Sequence, residues 1–179
     1  MTDNKLSLFK YSIISGLICG IFSIAYYMLG YFAHWLSDPY WTLIYYLIIG
    51  VLSIYFVMKF RKTYGEGYLS FKRAFNISFL IILISGTLFS AFSALFQTYI
   101  SPETGELLMK QAEQKLAEQD LEPEEIASQM QGTRLMMKYP ALIIGAGVLG
   151  SAFFGAIISL IVAPICRKER EEQTVLENY

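Results

Sequence analysis

Between Tyr139 and Ile165 the chain runs without one charged side chain. About 20 consecutive apolar residues suffice to cross a bilayer as a helix, and a barrel strand is roughly half that length. Inside the hydrocarbon every backbone polar group has to be satisfied within the segment, which leaves a transmembrane helix as the fold of this run. Read at every fourth residue it gives Gly147, Ser151, Gly155, Ser159 and Ala163, a column of small side chains flanked by Gly145 and Gly150. Lipid tails are as apolar as leucine, so helices in a bilayer associate by close packing, and small-xxx-small columns mark where two backbones approach. The expectation is that the other spans gather round this last one.

Composition agrees with a membrane class: 55% of the residues are hydrophobic and 16% are charged, against a charged share of about a quarter in soluble domains. The formal net charge of -1 averages over a segregated pattern, with bases grouped at three places and acids mainly at a fourth. Nothing in it points to nucleic acid. Cys19 and Cys166 stand at opposite ends of the sequence, with neither CxxC nor metal-ligand spacing, and predict no disulfide. With His34 as the one histidine, the usual zinc sites are excluded, and no metal or cofactor is expected.

In chain order, Lys5 and Lys10 precede an apolar run over about 11–33. It is roughly twice the length of a signal-peptide core and has no small-x-small cleavage site, so it reads as a retained span. Ser12, Gly16 and Gly20 form its own small column, a natural partner for the column on the last helix. Tyr31, Phe32, Tyr40 and Trp41 bracket a short turn as an interfacial aromatic girdle. His34 and Asp38 in that turn read as solvated residues rather than an acid-base pair. The second span covers about 41–58; at about 1.5 Å per residue it just spans a core about 30 Å thick.

Lys59, Arg61 and Lys62 follow, then Gly65-Glu66-Gly67. The GxG lacks the Lys-Ser/Thr of a P-loop and the strand and third glycine of a dinucleotide fold, and so reads as a turn. Ser70 is the expected N-cap of a third span over about 74–99, which Phe71 and Phe75 anchor in the interface. Gly86, Ser90 and Ser93 give that span small positions. No span interior carries Asp, Glu, Lys, Arg or His, the residues on which proton and ion pathways are usually built.

From 101 to 138 the chain becomes polar. Ser101-Pro102-Glu103 is a helix start, Asp120-Leu121-Glu122-Pro123 breaks the helix, and a second follows, predicting a helical hairpin. Its acids (Glu103, Glu106, Glu113, Glu118, Asp120, Glu122, Glu124, Glu125) outnumber its bases (Lys110, Lys115, Arg134, Lys138). Leu108, Ala112 and Leu116 mark one apolar face, and Ile126, Met130 and Met137 another. Leu108, Leu116, Ile126 and Met130 are the expected partner-docking residues. Such short helices are marginal alone in water, so the two are expected to pair and turn their acidic side to a basic partner. Pro140 opens the last span, over about 140–165, and Arg167, Lys168 and Arg170 close it.

The segment Gly67-Tyr-Leu-Ser-Phe-Lys-Arg-Ala-Phe75, the Pro102 start with its Glu/Gln-rich helix pair, and the Gly-rich last span ending Ile158-Ser-Leu-Ile161 together resemble a family of small four-span membrane proteins from Bacteroidota, the domain of unknown function 4199. The resemblance covers nearly the whole chain. It implies an inner-membrane protein without an assigned activity, and an accessory role related to cell-envelope glycan or lipid.

The expected fold is therefore all-α: an integral membrane four-helix bundle, one membrane domain over 1–179, with the hairpin 101–138 between spans three and four outside the cytoplasm. Lys5, Lys10, Lys59, Arg61, Lys62, Lys72, Arg73, Arg167, Lys168 and Arg170 fall on one side, which places both termini in the cytoplasm. The helix-packing residues are Gly16, Gly20, Gly147, Ser151, Gly155 and Ser159. The expected function is a non-enzymatic scaffold or accessory subunit that contacts membrane lipids and a membrane-protein partner. The alternative is a small carrier or flippase for an apolar or lipid-linked molecule, for which a homo-oligomer would enlarge the interior. A membrane enzyme is disfavoured, because His34, Asp38 and Glu66 do not fall on one side.

Overall fold

The computed structural model describes residues 2–36, 38–118 and 123–168, with side chains from Leu8 onward. Ser37, the Asp120-Leu121-Glu122 break and Arg170 lie outside the described residues. Among those described, six α-helices follow one another: α1 (Thr2–Phe32), α2 (Pro39–Tyr64), α3 (Phe71–Leu95), α4 (Pro102–Ala117), α5 (Pro123–Lys138) and α6 (Pro140–Cys166). A π-helical turn, Phe96–Ile100, carries α3 on towards α4. Four segments are long and apolar enough to cross a membrane: Leu8–Phe32, Pro39–Tyr64, Phe71–Ile100 and Pro140–Cys166. The protein is an all-α, multi-pass membrane protein.

Asp38 starts α2: its Oδ1 accepts the Tyr40 N–H at 2.8 Å, and Pro39 sits in the first turn, where its missing N–H costs nothing. The helix runs past Met58 to Tyr64, further than the apolar pattern suggests. Phe60 in this extension is 3% exposed, and Arg61 and Lys62 in the last turn complement the helix dipole. Two other starts differ from expectation in detail. Ser70 and Ser101 precede α3 and α4 without a capping side-chain bond to the backbone; the Ser101 hydroxyl pairs instead with Thr104 Oγ1 at 2.8 Å and accepts from Tyr31 at 3.4 Å.

The helix at the centre is α3, not α6. A methyl built on Gly16 would lie 2.8 Å from Ile84 Cβ, and one on Gly20 would lie 2.7 Å from Leu88 Cδ2, both on α3. The column on α6 meets another face of the same helix. There, Gly147 abuts Ser90, Ser151 abuts Gly86, and a methyl on Gly155 would stand 3.2 Å from Ile82 Cγ2. Ser159 donates to Ser78 across 3.1 Å, both fully buried. The expected pairing of the α1 column with the α6 column is thus replaced by two separate contacts on α3. The third span offers bulky knobs to the notches of α1 and a small column to the small column of α6.

The packed core lies at the basic end of the bundle, where Cys19, Phe56, Val57, Phe60, Ile77, Val162 and Cys166 form one cluster. That end is also fastened by polar bonds. Arg61 Nη1 donates to the Cys166 carbonyl at 2.9 Å, and Tyr11 Oη donates to the Phe56 carbonyl at 2.9 Å. Leu69 and Lys168 exchange two backbone hydrogen bonds of 2.8 and 2.9 Å. The Gly65-Glu66-Gly67 turn makes the strand-like approach of Leu69 possible: a methyl on Gly65 would lie 2.3 Å from the Tyr68 carbonyl oxygen, and Gly67 has φ 86°.

At the other end α4 and α5 pair and sit on the bundle. A methyl on Gly105 of α4 would lie 3.0 Å from Met137 Cε of α5 and 3.8 Å from Gln97 Cβ at the end of α3. Met130 is 1% exposed, and Leu108 borders a cavity of the bundle. Met130 is therefore occupied within the fold and is not part of an outward docking face; Leu108, Leu116 and Ile126 are half-buried. A short amphipathic pair buries its apolar face against the nearest apolar surface, and the open end of the bundle supplies it.

Candidate functional site

Among the described residues, two cavities lie in the half of the bundle nearer the hairpin, one on either side of α2. The first is a crevice of about 210 Å³ between α2, α3 and α6. Gly150 leaves it room by lacking a side chain, Ser85, Ser90 and Ser151 line it with Gly86 and Gly147, and Tyr46 and Phe154 stand on its α2 and α6 walls. The rings of Tyr46 and Phe154 are 5.4 Å apart and are 38% and 45% exposed, so they mark its mouth on the lipid-facing surface. The hydroxyls of Ser90 and Ser151 donate to the carbonyls of Thr87 and Val148 within their own helices, both at 3.0 Å. The crevice is thus mostly apolar despite its serines.

The second cavity is a chamber of about 160 Å³ between α1, α2 and α3, with Leu36 from the turn and Leu108 from α4 at its end. Tyr26, Tyr27, Trp41, Tyr45 and Phe89 give it aromatic walls. Tyr26 and Trp41 stack with ring centroids 4.1 Å apart, and Tyr26 Oη donates to the Trp41 carbonyl at 2.8 Å. Trp41 Nε1 is buried away from this space, 2.5 Å from where a methyl on Gly30 would lie.

Tyr45 and Phe89 line both cavities and form the partition between them, their ring centroids 6.1 Å apart. The position of Tyr45 is fixed by its hydroxyl, which donates to Ser23 Oγ at 3.0 Å. Ser23 in turn donates to the Cys19 carbonyl at 2.9 Å and lies 3.4 Å from Ser85 Oγ. No charged side chain lines either cavity.

The helix-packing residues expected from sequence, Gly16, Gly20, Gly147, Ser151, Gly155 and Ser159, all lie in helix contacts, and Gly147 and Ser151 also border the crevice. Of the docking residues, Leu108 alone borders the chamber. Tyr45 and Phe89 escaped sequence reasoning, because an aromatic inside a span is indistinguishable there from a lipid-facing one. His34 is exposed in the turn with φ 59°, and the Asp38 carboxylate is used as the cap of α2. Among the described residues no three His, Cys, Asp or Glu side chains are grouped to hold a metal ion.

Neither the curated proteins nor the solved structures give a match to this chain. The family described as "Protein of unknown function (DUF4199)" matches over residues 10–168. That match spans the four membrane helices and the hairpin together, and the chain therefore belongs to the DUF4199 family.

Proposed function

We propose that this protein is a non-enzymatic membrane protein that holds a neutral apolar or lipid-linked molecule in the cavities beside α2, as a small carrier or as an accessory subunit of a cell-envelope lipid or glycan system. One observation carries the reading: Tyr45 and Phe89 line both cavities, so the first half of α2 and α3 together divide two adjoining open spaces inside the bundle. Ligand sites are typically concave and mostly apolar with a few placed polar groups. The crevice mouth at Tyr46 and Phe154 gives entry from the lipid phase. A charged ligand is disfavoured, since an unpaired charge loses its hydration without compensation.

The scaffold reading keeps one supporting feature: Leu107, Leu135 and Met136 are exposed on the hairpin. They stand close in sequence to the span ends at Ile100 and Pro140, within reach of the headgroup region, where lipid covers such side chains without a protein partner. We place the protein in the bacterial inner membrane with both termini in the cytoplasm and the hairpin outside, because Lys10, Lys59, Arg61, Lys62, Lys72, Arg73, Arg167 and Lys168 share one end of the bundle.

The test is native mass spectrometry of the full chain released from its own membrane in mild detergent. A neutral lipid-like mass retained on the protein at about one per chain is expected. Recovery of the bare protein mass alone, or of anionic phospholipids in proportion to their abundance, overturns the reading.

A further inference from the structure

We infer that the chamber under Leu108 is a binding site for a neutral, planar, ring-sized group. This rests on the reading that the cavities hold a membrane amphiphile, and assigns the chemistry of one end of it. Size is the first argument: the chamber, open on the side of the exposed Thr42, measures about 160 Å³, and about 150 Å³ is enough for a benzene ring. The walls are the second, since Tyr27, Tyr45 and Phe89 surround the space with rings, and ring pairs favour offset or edge-to-face contact with a flat partner.

Charge decides between the ligands that aromatic walls attract. A cation bound in an aromatic cage needs open ring faces, but Tyr26 and Trp41 stack on one another, and no carboxylate lines the chamber. A phosphate meets no Lys or Arg there. A sugar ring brings more hydroxyls than the chamber has partners for, and each one buried unpaired costs binding. An uncharged ring with at most one polar substituent, such as a phenol, meets these walls without burying a row of unpaired polar groups. Such a ring comes either from a free aromatic molecule or from a lipid that bears it.

The experiment uses the full chain in nanodiscs and two diazirine-bearing phenols, one with a short alkyl tail and one with a long isoprenoid tail, with labelled positions read by peptide mass spectrometry. Label is expected at residues 23–27 and 41–45. It should fall about tenfold on Leu108→Trp, which fills the chamber from its roof, and stay unchanged on Gly145→Leu, whose added carbon meets nothing. Thr42→Phe, at an exposed position bordering the chamber, blocks it by a second route should Leu108→Trp fail to fold. Equal labelling by both probes identifies a free aromatic as the source, and preference for the long tail identifies a ring-bearing lipid. Label confined to the crevice walls overturns the chamber assignment while leaving the cavity reading standing. Label in neither cavity overturns both.

Discussion

Gly147 of α6 and Ser90 of α3 face each other so closely that a methyl on Gly147 would lie 2.3 Å from Ser90 Cβ, and Gly86 and Ser151 repeat the relation at the same distance with the two helices exchanged. Each helix thus contributes a glycine opposite the other's serine, and neither can gain a carbon without moving a backbone. Gly147→Ala and Gly86→Ala are expected to destabilise the protein by about 1–3 kcal/mol each, the usual cost of overpacking. Gly145→Ala, where nothing lies within 4 Å, should be neutral or slightly stabilising, because alanine is the better helix former. By the same reasoning Gly155→Leu damages the bundle more than Leu149→Ala, since Leu149 is 73% exposed. Thermal unfolding in one detergent checks the order; equal melting temperatures for Gly147→Ala and Gly145→Ala would contradict it.

The partition between the cavities depends on the 3.0 Å bond from Tyr45 to Ser23. Tyr45→Phe removes it while Ser23 keeps its bond to the Cys19 carbonyl, so no polar group is stranded. The cost should be about 0.6 kcal/mol, the typical worth of a side-chain hydrogen bond within a membrane. Tyr45→Ala removes the partition itself and should cost about 3–5 kcal/mol. The measurement is the free-energy difference between the two variants by reversible unfolding in mixed micelles; similar losses would mean that Tyr45 is not held as a wall.

At the basic end, Gly65→Ala should release the contact between Leu69 and Lys168, because the new carbon would collide with backbone oxygens of Tyr68 and Arg61 at 2.3 and 2.9 Å. The amides of Leu69 and Lys168, which pair with each other, should lose hydrogen-exchange protection in this variant. Arg61→Met should expose the Lys168 amide as well, by removing the guanidinium from the Cys166 carbonyl. Protection unchanged in both would show that this closure is not maintained by these contacts.

Orientation is tested by cysteine labelling in a variant without Cys19 and Cys166. A cysteine at the exposed Ser128 of α5 should react with an impermeant reagent in intact cells, and one at the exposed Thr63 only after permeabilisation. The reverse pattern would turn the protein over in the membrane.

The helices were legible in the sequence because length and missing charge decide them: Tyr139 to Ile165 admits one fold in a bilayer. The columns at Gly16 and Gly147 were legible as close-packing surfaces too, but not their partner. A small column states how near a neighbour comes and is silent on which helix it is; Ile84 and Leu88, the knobs that fill the notches of α1, look like any other apolar span residues. The hairpin faces had a similar ambiguity. Met130 had to be buried, and its spacing does not tell a separate partner from the open end of the same bundle. The cavities left no sequence signal, since empty space is set by the sum of many side chains around it.

The claim at the centre of this account is that the crevice beside α2 is a binding site, and Gly150 allows it to be filled without disturbing the fold. Gly150 borders the crevice, yet an added carbon there meets nothing within 4 Å. The measurement is the binding of a radiolabelled neutral lipid, a diacylglycerol, to the purified chain across the series Gly150, Gly150→Ala, Gly150→Val and Gly150→Leu, with melting temperature followed in the same samples. Affinity should fall stepwise as the side chain grows, by about tenfold or more at Leu, while melting temperature holds or rises. Binding that is absent in the parent chain, or unchanged across the whole series, would contradict the account.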